Sequence, residues 1–149
     1  MRAVVQRTLQ SKVIAAGRET GKAGFGLTVL LGIGNDDDSG DVAYMAEKIV
    51  NLRIFEDEDG KMNQSLLQKN GDMLVVSQFT LYGDARRGRR PSFTAAAPPD
   101  LANRLYEEFV QYVEKQGVRV ATGVFQTEMV VSLDNHGPVT ILLDSKKEF

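Results

Sequence analysis

The chain has 149 residues, a formal net charge of −2, no cysteine and a single histidine, His136. Without cysteine it can form no disulfide, thiolate nucleophile or cysteine-ligated metal site, and one histidine argues against a metal site built from imidazoles. The length predicts one domain over residues 1–149. The near-neutral charge means that RNA could be bound only through a local basic patch or at an RNA end.

The beginning of the chain predicts a strand over residues 2–15 and no export signal. Arg2 brings a charge within two residues, and the segment lacks the apolar core and small-residue cleavage site of a signal peptide. The longest apolar run, residues 27–33, is interrupted by Thr28 and Gly32 and is too short to cross a bilayer. We therefore expect a soluble, cytoplasmic protein that has no membrane partner.

The rest of the first half predicts strands around one helix. Runs of β-branched and aliphatic residues indicate strands, and apolar residues spaced three and four apart indicate a helix. The predicted elements are a turn at Gly17 and Gly21, a buried strand over 23–33, polar helix caps over 35–39, a helix over 42–50, a short strand over 52–55, a solvated turn over 56–60 and a strand over 72–77.

The second half predicts a helix followed by three strands. Pro98-Pro99-Asp100 opens the helix and Gly117 ends it. Its apolar stripe consists of Leu101, Leu105, Phe109, Tyr112 and Val113. The predicted strands cover 118–121, 128–133 and 139–143. Together the elements predict an α/β or α+β domain in which helices cover a sheet.

The segment Ser77-Gln78-Phe79-Thr80 follows a predicted strand and is the first candidate site. The end of a strand often carries chemistry, because the sheet fixes the backbone while the next loop stays free. Its two hydroxyls, its amide and its backbone N–H groups could donate to a developing oxyanion. The alternative is that Ser77 and Thr80 only cap a turn. A nucleophilic hydroxyl needs a base, and none lies nearby in the sequence.

Gly137-Pro138 is the second candidate, and on its residues alone it is a turn signal. It predicts a hairpin corner between the strands 128–133 and 139–143. A cis peptide is possible there, although only about 5–6% of X–Pro bonds in folded proteins are cis. The neighbouring His136 is more typical of a surface residue than of a catalyst.

A cluster of arginines at positions 86–90 is the third candidate. Four guanidinium groups could neutralise RNA phosphates, but a solvated loop is an equal alternative. The four residues are Arg86, Arg87, Arg89 and Arg90. The acidic runs 36–38 and 56–59 lack the ligand spacing of a calcium loop and are interpreted as solvated turns.

Taken together, these segments resemble the bacterial D-aminoacyl-tRNA deacylases, also called D-Tyr-tRNA(Tyr) deacylases. The resemblance runs nearly from end to end and depends on two separated signatures in the family's order. The matching segments are Met1 to Arg7, Leu52 to Asp57, Gly60 to Asn63, Ser77 to Leu81 and Gly137 to Thr140. Either signature alone would be weak.

The resemblance implies a single three-layer β/β/α domain, with mixed sheets covered by two main helices, that works as a homodimer with its active sites near the interface. It implies hydrolysis of the ester between a D-amino acid and the terminal adenosine of tRNA, a proofreading activity in translation, with no metal, no other cofactor and no DNA partner. The Gly137-Pro138 pair would be cis and would enter the partner's site, where main-chain carbonyls would receive the substrate's α-ammonium group. Arg7 would help hold the pair. His136 departs from the family, where an acidic residue is expected more often.

This implied arrangement suits the residue types. A rigid backbone pair can reject an L side chain by a clash, which a glycine substrate would escape, so some activity on glycyl-tRNA is expected. The backbone N–H groups near Phe79 and Thr80, with the side chains of Ser77 and Gln78, would stabilise the oxyanion. Either Thr80 attacks directly, or it orients the substrate while water attacks with help from a ribose hydroxyl. The second is favoured because no base accompanies Thr80.

Three rival functions remain open at this level. A non-catalytic RNA-binding module would use the arginine cluster and would ignore the chirality of the attached amino acid. A serine or threonine esterase would hydrolyse small activated esters without RNA. A dimeric scaffold would have no activity.

Overall fold

The computed structural model describes all 149 residues. The strands are β1 (Arg2–Ala15), β2 (Arg18–Ala23), β3 (Gly26–Gly32), β4 (Phe55–Glu56), β5 (Met62–Gln64), β6 (Asp72–Ser77), β7 (Val120–Thr122) and β8 (Met129–Asp144). The helices are α1 (Ser39–Val50), α2 (Leu66–Lys69) and α3 (Pro99–Lys115), with a 3-10 helix over Phe79–Tyr82. None of the helices has the length and apolar character needed to cross a membrane.

The main sheet is mixed and nearly closed on itself. β1 pairs antiparallel with β2, β3 and β8, whereas β3, β6 and β7 run parallel to one another. The two ends of the path β2-β1-β3-β6-β7 approach each other, since Gly21 of β2 lies so close to the backbone of Thr122 that a Cβ would not fit. A small separate hairpin is formed by β4 and β5.

The two main helices cover one face of this sheet. α1 begins with a capping box in which Asp38 accepts hydrogen bonds from the N–H groups of Gly40 and Asp41. α3 begins with proline in its first turn, and Gly117, with a φ of +89°, lies just beyond its end. Both helices contribute buried side chains to a core cluster of 22 residues. The mixed fold is as predicted, and the finer three-layer arrangement stays a prediction.

β6 is buried on both faces, which explains its unbroken apolar sequence. Met73 and Val75 belong to the large core beneath the helices. Leu74 and Val76 belong to a smaller cluster on the opposite face, together with Val13 and Ala23. The strand is therefore fixed from both sides up to the residue before Ser77.

The predicted hairpin corner at Gly137-Pro138 is wrong. β8 is one strand, and both of its halves pair with β1: Met129 lies opposite Ala15, and Asp144 lies opposite Arg2. The local Gly-Pro signal indicates an interruption of the strand. Whether the chain reverses there depends on its distant partner β1, about which the local signal carries no information.

Several shorter predictions also need correction. The predicted strand 52–55 is reduced to Phe55–Glu56, because only these residues find a partner, in β5. The predicted strand 23–33 is divided at Gly24-Phe25, so that Ala23 ends β2 and β3 starts at Gly26. Gly21 lies inside β2, and the turn is at Ala16-Gly17. The strand predicted over 118–121 covers 120–122.

Candidate active site

A mostly apolar cavity of about 740 Å³ lies where β6 ends. Its walls come from four stretches of the chain that are far apart in the sequence. The lining residues are Ile33, Val76, Ser77, Gln78, Phe79, Phe93, Ala96, Ala97, Pro99, Ala102, Phe125, Gln126, Thr127, Met129 and Val131. Three of the four residues of the first candidate segment therefore line one cavity.

The backbone holds this segment firmly at its start. Ser77 pairs with Leu31 at the end of the parallel β3–β6 ladder, and the Gln78 N–H donates to the Leu31 carbonyl at 2.8 Å. The chain then turns into the 3-10 helix. A Cβ at Gly32 would lie 2.9 Å from the Gln78 carbonyl, so glycine permits this close approach.

The N–H groups of Phe79 and Thr80 begin the 3-10 helix. They precede its first hydrogen bond, which runs from the Leu81 N–H to the Gln78 carbonyl at 3.2 Å. The first N–H groups of a helix have no acceptor within that helix. Beside a cavity, such donors can stabilise a negatively charged oxygen.

The Thr80 hydroxyl has a neutral partner. The Gln78 side-chain amide donates to Thr80 Oγ1, and neither Thr80 nor Ser77 has a hydrogen bond to a carboxylate or an imidazole. A hydroxyl needs an adjacent base to become a strong nucleophile. The geometry therefore suits Thr80 for orienting a group and not for attacking one.

Aromatic rings form part of the cavity wall. Phe79 is 56% exposed and meets Phe93 edge to face, with 5.1 Å between the ring centroids. Phe125 also lines the cavity, and the centre of its ring is 6.4 Å from that of Tyr106. Exposed rings beside an open cavity offer flat apolar surfaces to a planar ligand.

The second candidate pair lies on an excursion of β8. Asn135 pairs with Thr8 and Thr140 pairs with Gln6, so the four residues between them leave the ladder. The Asn135 side chain closes this excursion, because its Oδ1 accepts from the Val139 N–H at 3.3 Å and its Nδ2 donates to Thr140 Oγ1 at 3.1 Å. The Gly137-Pro138 peptide bond is cis, as the resemblance implies.

Arg7 lies under this excursion. Its side chain is buried, donating from Nε to the His136 carbonyl at 3.2 Å and from Nη1 to the Ile54 carbonyl at 2.8 Å. Glu56 approaches the same guanidinium at 3.8 Å. Gly137 has a φ of +119°, and a Cβ there would lie 2.9 Å from Arg7 Nη2. Arg7 thus contacts the residue before the Gly-Pro pair and packs directly against Gly137.

The structure does not bring the two candidate motifs together within one chain. Gly137 and Pro138 are exposed and are absent from the lining of the cavity at the end of β6. His136 is also exposed, and only its backbone carbonyl contacts Arg7.

The basic segment forms a loop attached to the cavity. Asp84 and Ser92 pair through their backbones at its base, and Phe93 follows directly. Arg86 donates twice to Asp84 and thereby holds the pKa of that carboxyl well below its usual range. The other three cations, Arg87, Arg89 and Arg90, are exposed and form no ion pair within the chain.

Sequence reasoning missed several residues of this region. Phe93, Phe125 and Met129 line the cavity, but each is an ordinary apolar residue in the sequence. Asn135 lies two residues before the Gly137–Thr140 stretch, and its two hydrogen bonds depend on the excursion itself. No three acidic, histidine or cysteine side chains converge where they could hold a metal ion.

The chain is similar to proteins of known families over its whole length. The family model described as D-Tyr-tRNA(Tyr) deacylase matches residues 4–144. Curated relatives described as D-aminoacyl-tRNA deacylases, from Thermosipho africanus and Clostridioides difficile, are each 60% identical over 149 residues, which is all of both chains.

Two solved structures share the fold. One, described as a c-Myc DNA unwinding element binding protein, is 39% identical and has a TM-score of 0.91, covering 97% of this chain and 98% of its own. The other, described as a probable eukaryotic D-amino acid tRNA deacylase, is 20% identical with a TM-score of 0.85, covering 95% and 97%.

Proposed function

Because the chain belongs to the D-Tyr-tRNA(Tyr) deacylase family, we propose that residues 1–149 form one catalytic domain that hydrolyses the ester between a D-amino acid and the 3′-terminal adenosine of tRNA. The removal of D-amino acids from tRNA by hydrolysis follows from full-length identity of 60% with D-aminoacyl-tRNA deacylases. The observation that carries the site assignment is the cavity at the end of β6, which the Ser77–Phe79 segment lines. Aminoacyl-tRNA is used in the cytoplasm, and we place the protein there.

The cavity suits the terminal adenosine of the substrate. A base can stack on the exposed ring of Phe79 or lie against Phe125, and such stacking is worth about 1–3 kcal/mol for each base. Because every base has an aromatic face, stacking alone selects no sequence. This would suit an enzyme that acts on tRNAs ending in the same adenosine.

The start of the 3-10 helix would then stabilise the reaction. Water attacks the ester carbon and gives a tetrahedral intermediate, whose oxyanion the Phe79 and Thr80 N–H groups receive. One such donor can lower the barrier by about 2.7–4 kcal/mol. The bond to the ribose oxygen breaks, that oxygen takes a proton, and free D-amino acid and tRNA leave.

In this mechanism Thr80 orients the substrate, and a ribose hydroxyl of the RNA assists the attacking water. The donation from Gln78 to the Thr80 hydroxyl supports this role, because it places a donor where a nucleophile would need a base. Ser77 and Gln78 complete the polar edge of a cavity that is otherwise mostly apolar.

We assign chiral selection to Gly137 and Pro138 of a second protomer. The pair is exposed and lies outside its own chain's cavity, as a group that completes a partner's site would. The buried Arg7 and the bonds of Asn135 hold the excursion in one shape. A rigid backbone wall rejects L side chains by collision, which is more selective than attraction to groups that both enantiomers share.

The homodimer that this assignment requires is supported by the surface of β8. Only one edge of this 16-residue strand is paired, and its two most exposed apolar side chains, Val130 and Leu142, are 62% and 60% exposed. A long strand with a free edge and apolar side chains favours association with another chain.

The basic loop is assigned to the tRNA backbone. Because Asp84 neutralises Arg86, phosphate binding falls to Arg87, Arg89 and Arg90. Removing one phosphate-binding cation should reduce the salt dependence of tRNA binding by about 0.7–0.9 in the slope of log K against log salt. Replacing Arg87, Arg89 and Arg90 singly by glutamine should give this reduction, measured by filter binding, whereas Arg86→Gln should give a smaller one.

One experiment tests the proposed function directly. The protein is incubated with D-Tyr-tRNA, L-Tyr-tRNA and glycyl-tRNA, and release of the amino acid is followed. We expect rapid release from the D form, none from the L form, and slower release of glycine, which has no side chain to collide. Equal release from both enantiomers would contradict chiral selection by a wall. Binding without release would favour an RNA-binding module, and cleavage of small activated esters alone would favour an unrelated esterase.

A further inference from the structure

Arg2 joins the 3-10 helix at the site to the C-terminal segment of the chain. On the side of the helix, its Nη1 donates to the Leu81 carbonyl at 3.2 Å, and its guanidinium carbon lies 4.6 Å from the centre of the Tyr82 ring. Both residues belong to the helix Phe79–Tyr82. Arg2 is therefore bound to the last turn of that helix.

The C-terminal segment holds the guanidinium in place. Nε donates to Asp144 Oδ2 at 3.1 Å, and Nη2 donates to Glu148 Oε2 at 2.6 Å. The ring of Phe149 lies on the guanidinium as well, with its centre 5.6 Å away. The Asp144 side chain is almost fully buried and accepts in addition from the Lys146 N–H at 2.8 Å. A planar guanidinium presents five donors in a fixed fork while its flat face stacks on a ring, whereas a lysine ammonium is a compact point charge without that geometry.

The 3-10 helix that Arg2 contacts also packs closely against the end of β3. A Cβ at Gly34 would lie 2.7 Å from Tyr82 Oη, and one at Gly32 would lie 2.9 Å from the Gln78 carbonyl. Tyr82 also donates from its hydroxyl to the buried Asp37 at 3.4 Å. The helix therefore lies between the end of β3 and Arg2.

We propose that Arg2 is a positioning residue for the deacylase reaction. It binds the last turn of the short helix that begins beside the cavity, and it thereby sets the direction of the first N–H groups of that helix. The last carbonyls of a helix lack partners within the helix, and arginine is well suited to bind them. This inference rests on the proposed function, because it needs the Phe79 and Thr80 N–H groups to receive the oxyanion.

The consequence for catalysis follows from geometry. Displacing a reacting group by about 1 Å can reduce a rate by about 10². A helix of four residues has too few internal hydrogen bonds to keep its own orientation. If Arg2 releases the Leu81 carbonyl, the N–H groups that precede it in the helix rotate, while the cavity walls outside the helix, which include the Phe93 and Phe125 rings, stay in place.

The test compares Arg2→Lys and Arg2→Ala with a control variant on D-Tyr-tRNA. The control is Arg104→Lys, because Arg104 forms an exposed ion pair with Glu108 of the same helix, α3. For Arg2→Lys we expect kcat to fall about tenfold while KM changes little, because the cavity walls outside the 3-10 helix keep ground-state binding. The control should keep the kcat of wild type.

Two readouts separate positioning from stability. Rates are expressed per folded molecule, with the folded fraction measured by circular dichroism. Arg2→Ala should lose more activity than Arg2→Lys and should regain part of its kcat in millimolar guanidinium, which can occupy the space between Tyr82, Phe149 and Asp144. A purely structural role predicts a lower melting temperature, unchanged kcat per folded molecule and no such recovery.

The outcomes also separate this inference from the proposed function. If wild type and Arg104→Lys both fail to release D-tyrosine from tRNA, the proposed function is wrong. If both are active and Arg2→Lys has the same kcat, the function stands and the positioning role of Arg2 is wrong.

Discussion

At the scale of single residues, Gly137 is the position where one added carbon should cost most. Its φ of +119° is open only to glycine, and a Cβ would lie 2.8 Å from Val139 Cγ2 and 2.9 Å from Arg7 Nη2. We expect Gly137→Ala to lose at least tenfold in activity, because the excursion must shift by a sizeable fraction of an ångström. Backbone strain alone should cost about 1–3 kcal/mol.

Gly17 provides a matched control for this prediction. It also has a positive φ, +73°, but a Cβ there would meet nothing within 4 Å. Gly17→Ala should therefore lose about 1–2 kcal/mol of stability in urea unfolding and keep its deacylase rate. Equal losses of activity in the two variants would show that strain, and not the contact with Arg7, is what matters.

Thr80 tests the choice between two chemical roles. If it orients the substrate, Thr80→Ala should keep measurable hydrolysis and lose about ten- to a hundredfold in kcat. Wild type should give no acyl-enzyme when it is quenched during turnover and examined by mass spectrometry. Complete loss of activity in Thr80→Ala, together with a trapped ester on wild-type Thr80, would establish direct attack instead.

At the scale of elements, Asp72, the first residue of β6, links its strand to two other segments at one end of the sheet. Its carboxylate accepts from Arg119, which precedes β7, and from the Gly24 N–H between β2 and β3 at 2.8 Å. The hydrogen bonds from Arg119 lower the pKa of Asp72, partial burial opposes them, and the Gly24 N–H adds to the lowering. The folded state therefore favours the ionised carboxylate.

A pH dependence follows from this direction. Because the folded pKa of Asp72 lies below its unfolded value, the stabilisation is complete above about pH 4 and is lost as the pH falls further. Asp72→Asn should lower the free energy of unfolding by about 1 kcal/mol at pH 7, since Arg119 is largely exposed to solvent. Urea unfolding curves should show the difference from wild type shrinking below pH 4. A difference that stays constant with pH would refute the role of the charge.

The same scale shows which parts of the fold the sequence could predict. The strand at 72–77 and the helices at 42–50 and after Pro98 have strong local signals: an apolar run, N-caps and a stripe at helical spacing. The hairpin predicted at Gly137-Pro138 is wrong because Gly-Pro indicates where a strand is interrupted but not whether the chain reverses there. Pairing with the distant β1 decides that the chain continues in one direction. β4, β5 and α2, at two to four residues each, are too short to give a periodicity.

The site was predictable to a similar degree. The sequence located Ser77 at the end of a buried strand, because the preceding apolar run ends there. It could not reveal the cavity, whose walls come from four separate stretches that meet only in the folded chain. The neutralisation of Arg86 by Asp84 was equally hidden, since a pair two residues apart makes contact only when the loop turns tightly.

At the scale of the whole molecule, the proposed dimer predicts complementation between two inactive variants. Gly137→Ala keeps the cavity and damages the pair, whereas Ala96→Trp fills the cavity and keeps the pair. If the pair acts on the partner's site, a mixed dimer has one intact site made from both chains. Co-refolding the two variants in equal amounts should restore about a quarter of wild-type activity. Half of the dimers are then mixed, and each mixed dimer has one intact site where the wild-type dimer has two.

The alternative outcomes of this mixing experiment are distinct. If each chain used its own pair, no combination would contain an intact site and activity would stay at the sum of the two variants. A single monomeric species in sedimentation equilibrium at micromolar concentration would contradict the dimer itself. Val130→Glu, on the most exposed apolar position of β8, should weaken association without touching the cavity.

The excursion of β8 acts as a spacer that is independent of the sheet. Asn135 and Thr140 stay in register with β1 on either side of it, so residues could be added or removed between them without turning any strand side chain to the other face. The number of residues in the excursion would then set how far the Gly-Pro pair extends toward the partner's site. Evolution or design could change the space left for the substrate's side chain while the rest of the fold stays unchanged.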